Sequence, residues 1–463
     1  MTLHETSAVE LARLLHTRRL SARELLNHYL DRIEKVNPTI NAIVTVASEQ
    51  ALAAAAEADQ AAARGADLGP LHGLPIAVKD LAETAGIRTT SGSPIMADHV
   101  PDHDEAFVAN LRAAGAIVFG KTNTPEFGAG SQTFNKVFGA TRNPYDPAST
   151  PGGSSGGAAA AVAAGLVPFA DGSDLAASVR NPASFCNLVG LRTTPGLVPN
   201  NVLNPLSVIG PIARTPADAA LLLAGMCGRT SGLPLSRPDR PADFLSLHPA
   251  DLRGLRVAWT PDLGDLAVSP EVTAVLDGAR ATLEELGCSV APAAPALSDA
   301  DEVFQVLRAL LMAELGPLLA GHRDQLKDTL VWNIEKGLAL SGAEIAAALA
   351  GRAAIFERTR AFLSDYDVLA LPTVQVTPFP LDVEWVTEIN GEPQATYIDW
   401  LRSCSRITVT GHPAISVPAG FTPSGMPVGL QLVGSYGADL RLLQIAQAFT
   451  EATPHTSVRP SIG

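Results

Sequence analysis

Cysteine and charge are both scarce in this chain of 463 residues. The four cysteines, Cys186, Cys227, Cys288 and Cys404, are widely spaced and form no C-x-x-C pair. That argues against a disulfide framework and leaves buried free thiols as the expectation. Charged residues number 80, or 17%, against roughly 25% in an average soluble protein. A coiled coil, rich in Glu and Lys, is thereby excluded. So is disorder, which needs low hydrophobicity, whereas 46% of this chain is hydrophobic. The net charge of −14 leaves no surplus of Lys and Arg to displace phosphate counterions, so no nucleic-acid partner is expected. Long apolar runs are missing too. The most apolar stretch, 156–170, is Ala- and Gly-rich, contains Pro168 and ends at Asp171, which is too short and too weak to span a bilayer. The first twenty residues mix His4, Glu5, Glu10, Arg13, Arg18 and Arg19 with short apolar pairs and lack the continuous core of a signal peptide. A cytoplasmic protein without a membrane partner is the expectation.

What is present is an alternation of strand and helix signals. Ser7 with Glu10, and Ser21 with Glu24, fit capping boxes ahead of two helices, the second expected to stop before Pro38. Strands are expected at 41–47, 74–78, 116–120, 255–259, 289–291, 366–371, 414–417 and 428–433. Helices are expected at 49–64, 107–114, 270–286, 303–319, 343–363 and 439–451. The pattern predicts an α/β fold, with a central mixed β-sheet covered by helices on both faces. No linker clearly divides the chain, so one domain over 1–463 is expected, with 231–243 as a surface connection. The segment 231–404 reads as its more variable, partly helical part.

Residues 137–200 stand apart. Only Arg142, Asp146, Asp171, Asp174, Arg180 and Arg192 are charged there, and they sum to zero. Inside lies Pro-Gly-Gly-Ser-Ser-Gly-Gly at 151–157, before an Ala-rich helix. A phosphate cradle would need GxxxxGK[ST], and no Lys follows Gly156 or Gly157. No GxGxxG occurs either. Both Gly152-x-Ser154-x-Gly156 and Gly153-x-Ser155-x-Gly157 satisfy the nucleophile-elbow pattern. An elbow needs a buried strand just before it, and three prolines in 143–151 argue against one. His322, His412 or His455 would have to serve as its base, and nothing singles one out.

A third reading pairs two serines with a lysine. The blocks Gly-Leu-Pro-Ile-Ala-Val-Lys-Asp (73–80), Gly-Lys-Thr-Asn-Thr-Pro-Glu-Phe (120–127), the 152–157 loop, Ser-Asp-Leu-Ala-Ala-Ser-Val-Arg (173–180), Asn-Leu-Val-Gly-Leu-Arg (187–192) and Gly-Met-Pro-Val-Gly-Leu-Gln-Leu-Val-Gly (425–434) occur in order. Together they resemble the amidase signature family over nearly the whole chain. The resemblance implies a Ser-Ser-Lys amidohydrolase that forms an acyl-enzyme and needs no cofactor or metal. Ser178 would be the nucleophile, Ser154 the bridging serine after a cis Gly153–Ser154 peptide, and Lys79 the base. The oxyanion donors would be the amides of Leu175, Ala176, Ala177 and Ser178. Gly128, Gly130 and Ser131 would line the substrate, and Asp174 and Arg180 would brace the loop. Its usual Gly-Gly before the nucleophile is Ala176-Ala177 here, so a narrower pocket beside the carbonyl is expected.

The chemistry constrains the lysine. At a pKa of about 10.4, only about 1 in 2,500 lysines is neutral at pH 7, and burial lowers the value by disfavouring the charge. Lys79 follows an apolar run, which suits desolvation, and Asp80 should point to the opposite side. Cys186 is expected to be a core thiol, and 102–105 (Asp-His-Asp-Glu) a solvated loop rather than a metal site. The expected substrate is a small or medium carboxamide, and a homodimer is a common outcome for a soluble enzyme. Two alternatives remain: a glutaminase-type subunit of a tRNA-dependent amidotransferase, which Ala176-Ala177 and 197–210 do not favour, and a catalytically silent binding protein on the same scaffold.

Overall fold

The structure, a computed structural model, describes residues 2–200, 205–228, 233–237 and 240–462. Its strands of four or more residues are Ile43–Val46 (β1), Pro75–Lys79 (β2), Ile117–Thr122 (β3), Phe169–Asp174 (β4), Val189–Arg192 (β5), Val208–Ala213 (β6), Arg256–Trp259 (β7), Ser289–Pro292 (β8), Val368–Pro372 (β9), Ala414–Phe421 (β10) and Pro427–Val433 (β11). The last eight form one mixed sheet in the order β8-β7-β9-β11-β10-β5-β6-β4, and β1, β3 and β2 form a smaller one. In the large sheet β8, β7 and β9 run parallel, and the remaining neighbours are antiparallel. The segment 231–404 thus contributes three strands to the same sheet as the Ser-rich segment. Helices pack around the sheets, which gives the α/β architecture with a central mixed sheet that the sequence pattern predicts.

The helices are Ala8–His16 (α1), Ala22–Ile40 (α2), Ser48–Ala63 (α3), Ala106–Ala113 (α4), Gly156–Ala163 (α5), Arg180–Phe185 (α6), Pro216–Met226 (α7), Pro270–Glu285 (α8), Ala300–Ala313 (α9), Pro317–His322 (α10), Asp328–Leu338 (α11), Gly342–Asp365 (α12), Arg402–Thr410 (α13) and Asp439–Glu451 (α14). Ser21 and Glu24 form the full capping box of α2. At α1 only half of it forms, because the Glu10 carboxylate turns to Arg13 at 2.6 Å. Pro38 does not stop α2. It sits in the last turn, where a missing N–H costs one bond, and Asn41 in the left-handed conformation ends the helix. The expected helix over 303–319 is two pieces, Ala300–Ala313 and Pro317–His322; Pro317 has no N–H to continue the ladder of the first. The helix Asp328–Leu338 was not anticipated, nor were the strands β4, β5 and β6. These three strands hold Asp, Gly, Ser and Pro and are buried almost throughout, so no in–out alternation marks them. The surface connection expected at 231–243 lies partly outside the described residues.

Two packing facts position the Ser-rich loop. Every residue of α5 is buried, which its Ala and Gly content permits by letting neighbouring backbones approach. At Gly157 an added Cβ would lie 2.3 Å from the Asn123 amide nitrogen and 2.6 Å from its carbonyl oxygen. No single helix among the described residues is long and apolar enough to cross a membrane. Gly157→Ala is expected to push α5 off the Asn123 backbone and destabilise the fold by about 1–3 kcal/mol, measured by urea unfolding.

Candidate active site

β2 delivers Lys79 into the interior as its last residue, and the side chain is 1% exposed. Its Nζ lies 2.7 Å from Ser154 Oγ, 2.8 Å from Ser155 Oγ and 2.9 Å from Ser173 Oγ. Burial pushes the amine down to about 7, against the opposing charges of Asp171 and Asp174. A neutral amine has two N–H donors and one lone pair, so two of these hydroxyls accept from it while the third donates to it. Asp80 turns away, as strand alternation predicts, and accepts the Thr90 N–H at 3.0 Å and the Thr90 hydroxyl at 2.5 Å.

Alternation also organises β4. Asp171 and Ser173 face β2, and the Asp171 carboxylate accepts the Lys79 backbone N–H at 3.1 Å. Burial raises Asp171 to about 6, while the Lys79 N–H and the two lysines Lys121 and Lys79 pull it back. Asp174 faces the other way, between two fully buried arginines. Arg180 Nε and Nη2 donate to its two carboxylate oxygens at 3.0 and 2.9 Å, and Arg192 Nη1 reaches Oδ1 at 3.2 Å. Burial alone would raise Asp174; Arg180 and Arg192 overcome it and hold the carboxyl at about 2. Arg180 also donates to the carbonyls of Ala176 and Cys404 and to the Gln431 side chain, tying the loop after β4 to α13 and β11.

The Gly/Ser loop carries a cis peptide at Gly153–Ser154. Thr133 Oγ1 donates to the Gly152 carbonyl and accepts the Gly156 N–H, both at 3.0 Å. Asn181 Nδ2 donates to the Gly153 carbonyl at 3.2 Å. A Cβ on Gly153 would lie 2.7 Å from the Gln132 backbone, which explains glycine before the serine. The residues before the loop are not a strand, so the elbow geometry is absent there. His412 bonds the Thr410 carbonyl and stacks on Phe356, His322 sits beside Gln325, and His455 borders Gly420; none bonds a loop serine.

Ser178 follows β4 in a turn and is half-buried. Its carbonyl accepts the Ser155 N–H at 3.2 Å, which fastens it to the Gly/Ser loop. Among the described residues its hydroxyl has no hydrogen-bond partner, and the amides of Ala176, Ala177 and Ser178 donate to nothing. Neither alanine adopts positive φ, so the Gly-to-Ala departure carries no backbone strain. The Ala177 methyl is fully buried with Phe185, Phe379 and Trp400, and Ala176 and Leu175 are half-buried. A Cβ on Gly128 would come within 3.9 Å of Ser154 Oγ, which places Gly128 beside the loop. Gly130 packs on Pro125, and Ser131 Oγ accepts the Trp400 indole N–H at 3.2 Å.

Sequence reasoning missed Ser155, Ser173, Asp171, Arg192 and Trp400. The i, i+2 spacing of Asp171 and Ser173 was a usable signal, but only once β4 is known to be a strand. Lys121 is a second buried lysine, lowered to about 8 by burial, and it donates to the Ala82 carbonyl and Thr84 hydroxyl, away from the serines. Cys186 is buried, and burial pushes its thiol up. The 102–105 side chains diverge: Asp102 meets His103, Asp104 meets Arg112, and Glu105 accepts the Glu83 N–H.

The chain matches the model of the family described as Amidase over residues 24–443. It is 38% identical over 467 residues to an acylamidase of Rhodococcus erythropolis, covering 99% of this chain and 98% of the relative. It is also 38% identical over 496 residues to a component of the glutamyl-tRNA(Gln) amidotransferase of Moorella thermoacetica, covering all of both chains. Among solved structures, a bacterial aryl acylamidase of the amidase signature enzymes superposes with a TM-score of 0.92 at 29% identity, over 99% of each chain.

Replacing Asp174 by Asn leaves Arg180 and Arg192 buried without a counter-charge. A loss of about 3–5 kcal/mol of folding stability is expected, read from the urea midpoint.

Proposed function

The chain belongs to the amidase signature family and is an amide C–N hydrolase, and from that premise we propose that Ser178 is its nucleophile, Ser154 the bridging serine and Lys79 the base. The observation that carries this reading is the buried Lys79 amine, held by hydroxyls of the loop to which Ser178 is fastened. An amine lowered to about 7 is roughly half neutral at pH 7, against about 1 in 2,500 for an ordinary lysine. Neutral Lys79 accepts the Ser154 proton while Ser154 takes the proton of Ser178, whose Oγ attacks the carbonyl carbon. The amides of Leu175, Ala176, Ala177 and Ser178 are assigned to the oxyanion, a role favoured by the three of them that lack any other acceptor. The same relay returns the proton to the nitrogen as the C–N bond breaks. Water then repeats the cycle on the acyl-enzyme and releases the carboxylate. The Ser154–Ser178 hydrogen bond that this relay needs would form when substrate binds.

The substrate is a small or medium carboxamide with apolar substituents. Two apolar clusters begin one residue from the site. Ala177 joins Phe185, Phe379, Trp400 and Val374, and Ala129 joins Leu326, Leu330, Val331 and Ile334. Gly128, Gly130 and Ser131 lie on the strip between the loop and these walls, and Asp174 and Arg180 hold the oxyanion loop in place. The similarity to an acylamidase and to an aryl acylamidase supports this reading. The full-length match to an amidotransferase component supports a second reading, a glutaminase that works within a complex. Glutamine hydrolysis that requires added partner proteins, with no turnover of simple amides, would establish the second reading over the first.

Ser178→Ala is expected to lower kcat on the order of 10^4-fold or more on an anilide or aliphatic amide, and to abolish labelling by a fluorophosphonate. Retention of full activity would remove Ser178 from the mechanism. Because the base acts in its neutral form, kcat/KM should rise with pH through about 7 and fall on the acid side as Lys79 takes a proton. A profile flat from pH 5 to 9 would contradict the assignment of Lys79.

A further inference from the structure

Away from the Lys79 site, and sharing no residue with it, a cavity of about 370 Å³ is walled by His4, Glu5, Arg32, Arg214 and Arg459, with Ala163, Ala164, Gly165, Pro460, Ser461 and Ile462. Three guanidinium groups thus share one cavity in a chain whose net charge is −14. Arg214 is 3% exposed, Arg32 half-buried, and Arg459 exposed at the rim. None of the three forms an ion pair among the described residues. They are instead anchored through backbone carbonyls. Arg32 Nε donates to Ala164 at 2.9 Å, Arg214 to His4 and Thr6 at 2.9 and 2.5 Å, and Arg459 to Thr456 at 2.5 Å. Two carboxylates, Glu5 on the wall and the buried Asp218, act on this group electrostatically without bonding to it. His4 adds no charge of its own at neutral pH. Burial, then Arg32 and His28, lower it to about 4, and its Nδ1 is engaged with His28 at 3.0 Å.

Guanidinium groups that share a cavity and form no ion pair among the described residues leave their N–H forks open to an anion from outside, and the planar fork of arginine matches carboxylate and phosphate oxygens. We propose that this cavity is a binding site for a small molecule carrying a carboxylate or phosphate group. The oxyanion lies among Arg32, Arg214 and Arg459, and an apolar body rests on Ala163, Ala164, Pro460 and Ile462. Gly165 shapes the wall. It has φ +68°, and a Cβ there would come within 3.3 Å of both Arg32 Nε and His4.

The test uses full-length Ser178→Ala protein, which separates this site from turnover and from the assignment of the nucleophile. Inorganic phosphate and butyrate are titrated in parallel at constant ionic strength, followed by calorimetry and by the His4 imidazole NMR signal. Saturable one-to-one binding is expected for at least one of the two, with a rise in the His4 pKa on saturation. The arm that binds identifies the source chemistry. Arg459→Gln, whose side chain bonds only local carbonyls, should weaken binding at least fivefold, and Arg32→Gln combined with Arg459→Gln should remove it. Arg214→Lys serves as a further variant that keeps the charge but loses the fork, and it should also bind more weakly. Absence of saturable binding of both anions, or equal affinity in the folded double variant, would overturn the proposal.

Discussion

The structure around the site depends on keeping one amine dry. Lys79 comes to the interior at the end of an apolar strand, and among the described residues its amine bonds three hydroxyls. An ammonium there would be desolvated, so the group gives up its proton near neutrality. Other features follow from that need. The strand before it is buried throughout, α5 is buried throughout, and glycines at 153 and 157 let the loop press against the 123–133 strip. The carboxylate nearest in sequence, Asp80, is held off by Thr90. The carboxylate that does approach, Asp171, binds the backbone N–H of Lys79 and is itself raised towards neutrality.

The same constraint governs the other charges of the segment 137–200. Of its six charged residues, Asp171, Asp174, Arg180 and Arg192 are buried, and they balance. Asp174 takes both arginines at once, and those arginines reach the carbonyls of Ala176, Cys404 and Leu206. The short stretch of chain with unbonded amides is thereby held in place. Preorganisation of this sort is what an oxyanion site needs, because donors that are already aimed have no reorganisation to undergo in the reaction. Aromatic packing of Phe185, Phe379 and Trp400 beneath Ala177 supplies the apolar half of the same support.

Much of the periphery was legible from local rules. The capping box at Ser21, the helix at 439–451 and the apolar strands before Lys79 and at 427–433 carry their own signals. The centre was less legible. Strands β4, β5 and β6 are short and buried almost throughout, and β4 is largely Asp, Gly and Ser, so neither propensity nor alternation betrays them. Because β4 was invisible, so were Asp171 and Ser173 as neighbours of Lys79. Arg192 was quoted within a motif yet had no partner in sequence reasoning, since its partner Asp174 lies 18 residues away on another strand.

The sequence by itself determined the identities and order of the groups proposed to react: the lysine after an apolar run, the paired serines among glycines, the serine 24 residues on, and the shortage of charge around them. Those are properties of neighbours along the chain, where spacing and composition are sufficient. The tertiary structure alone decided which of two buried lysines meets the serines, that Ser155 and Ser173 share its amine, and that Asp174 sits between two arginines. It also decided that Ala176-Ala177 replaces glycine without strain. Desolvation, hydrogen-bond distance and φ are set by what the fold brings alongside, and residues far apart in sequence supply it.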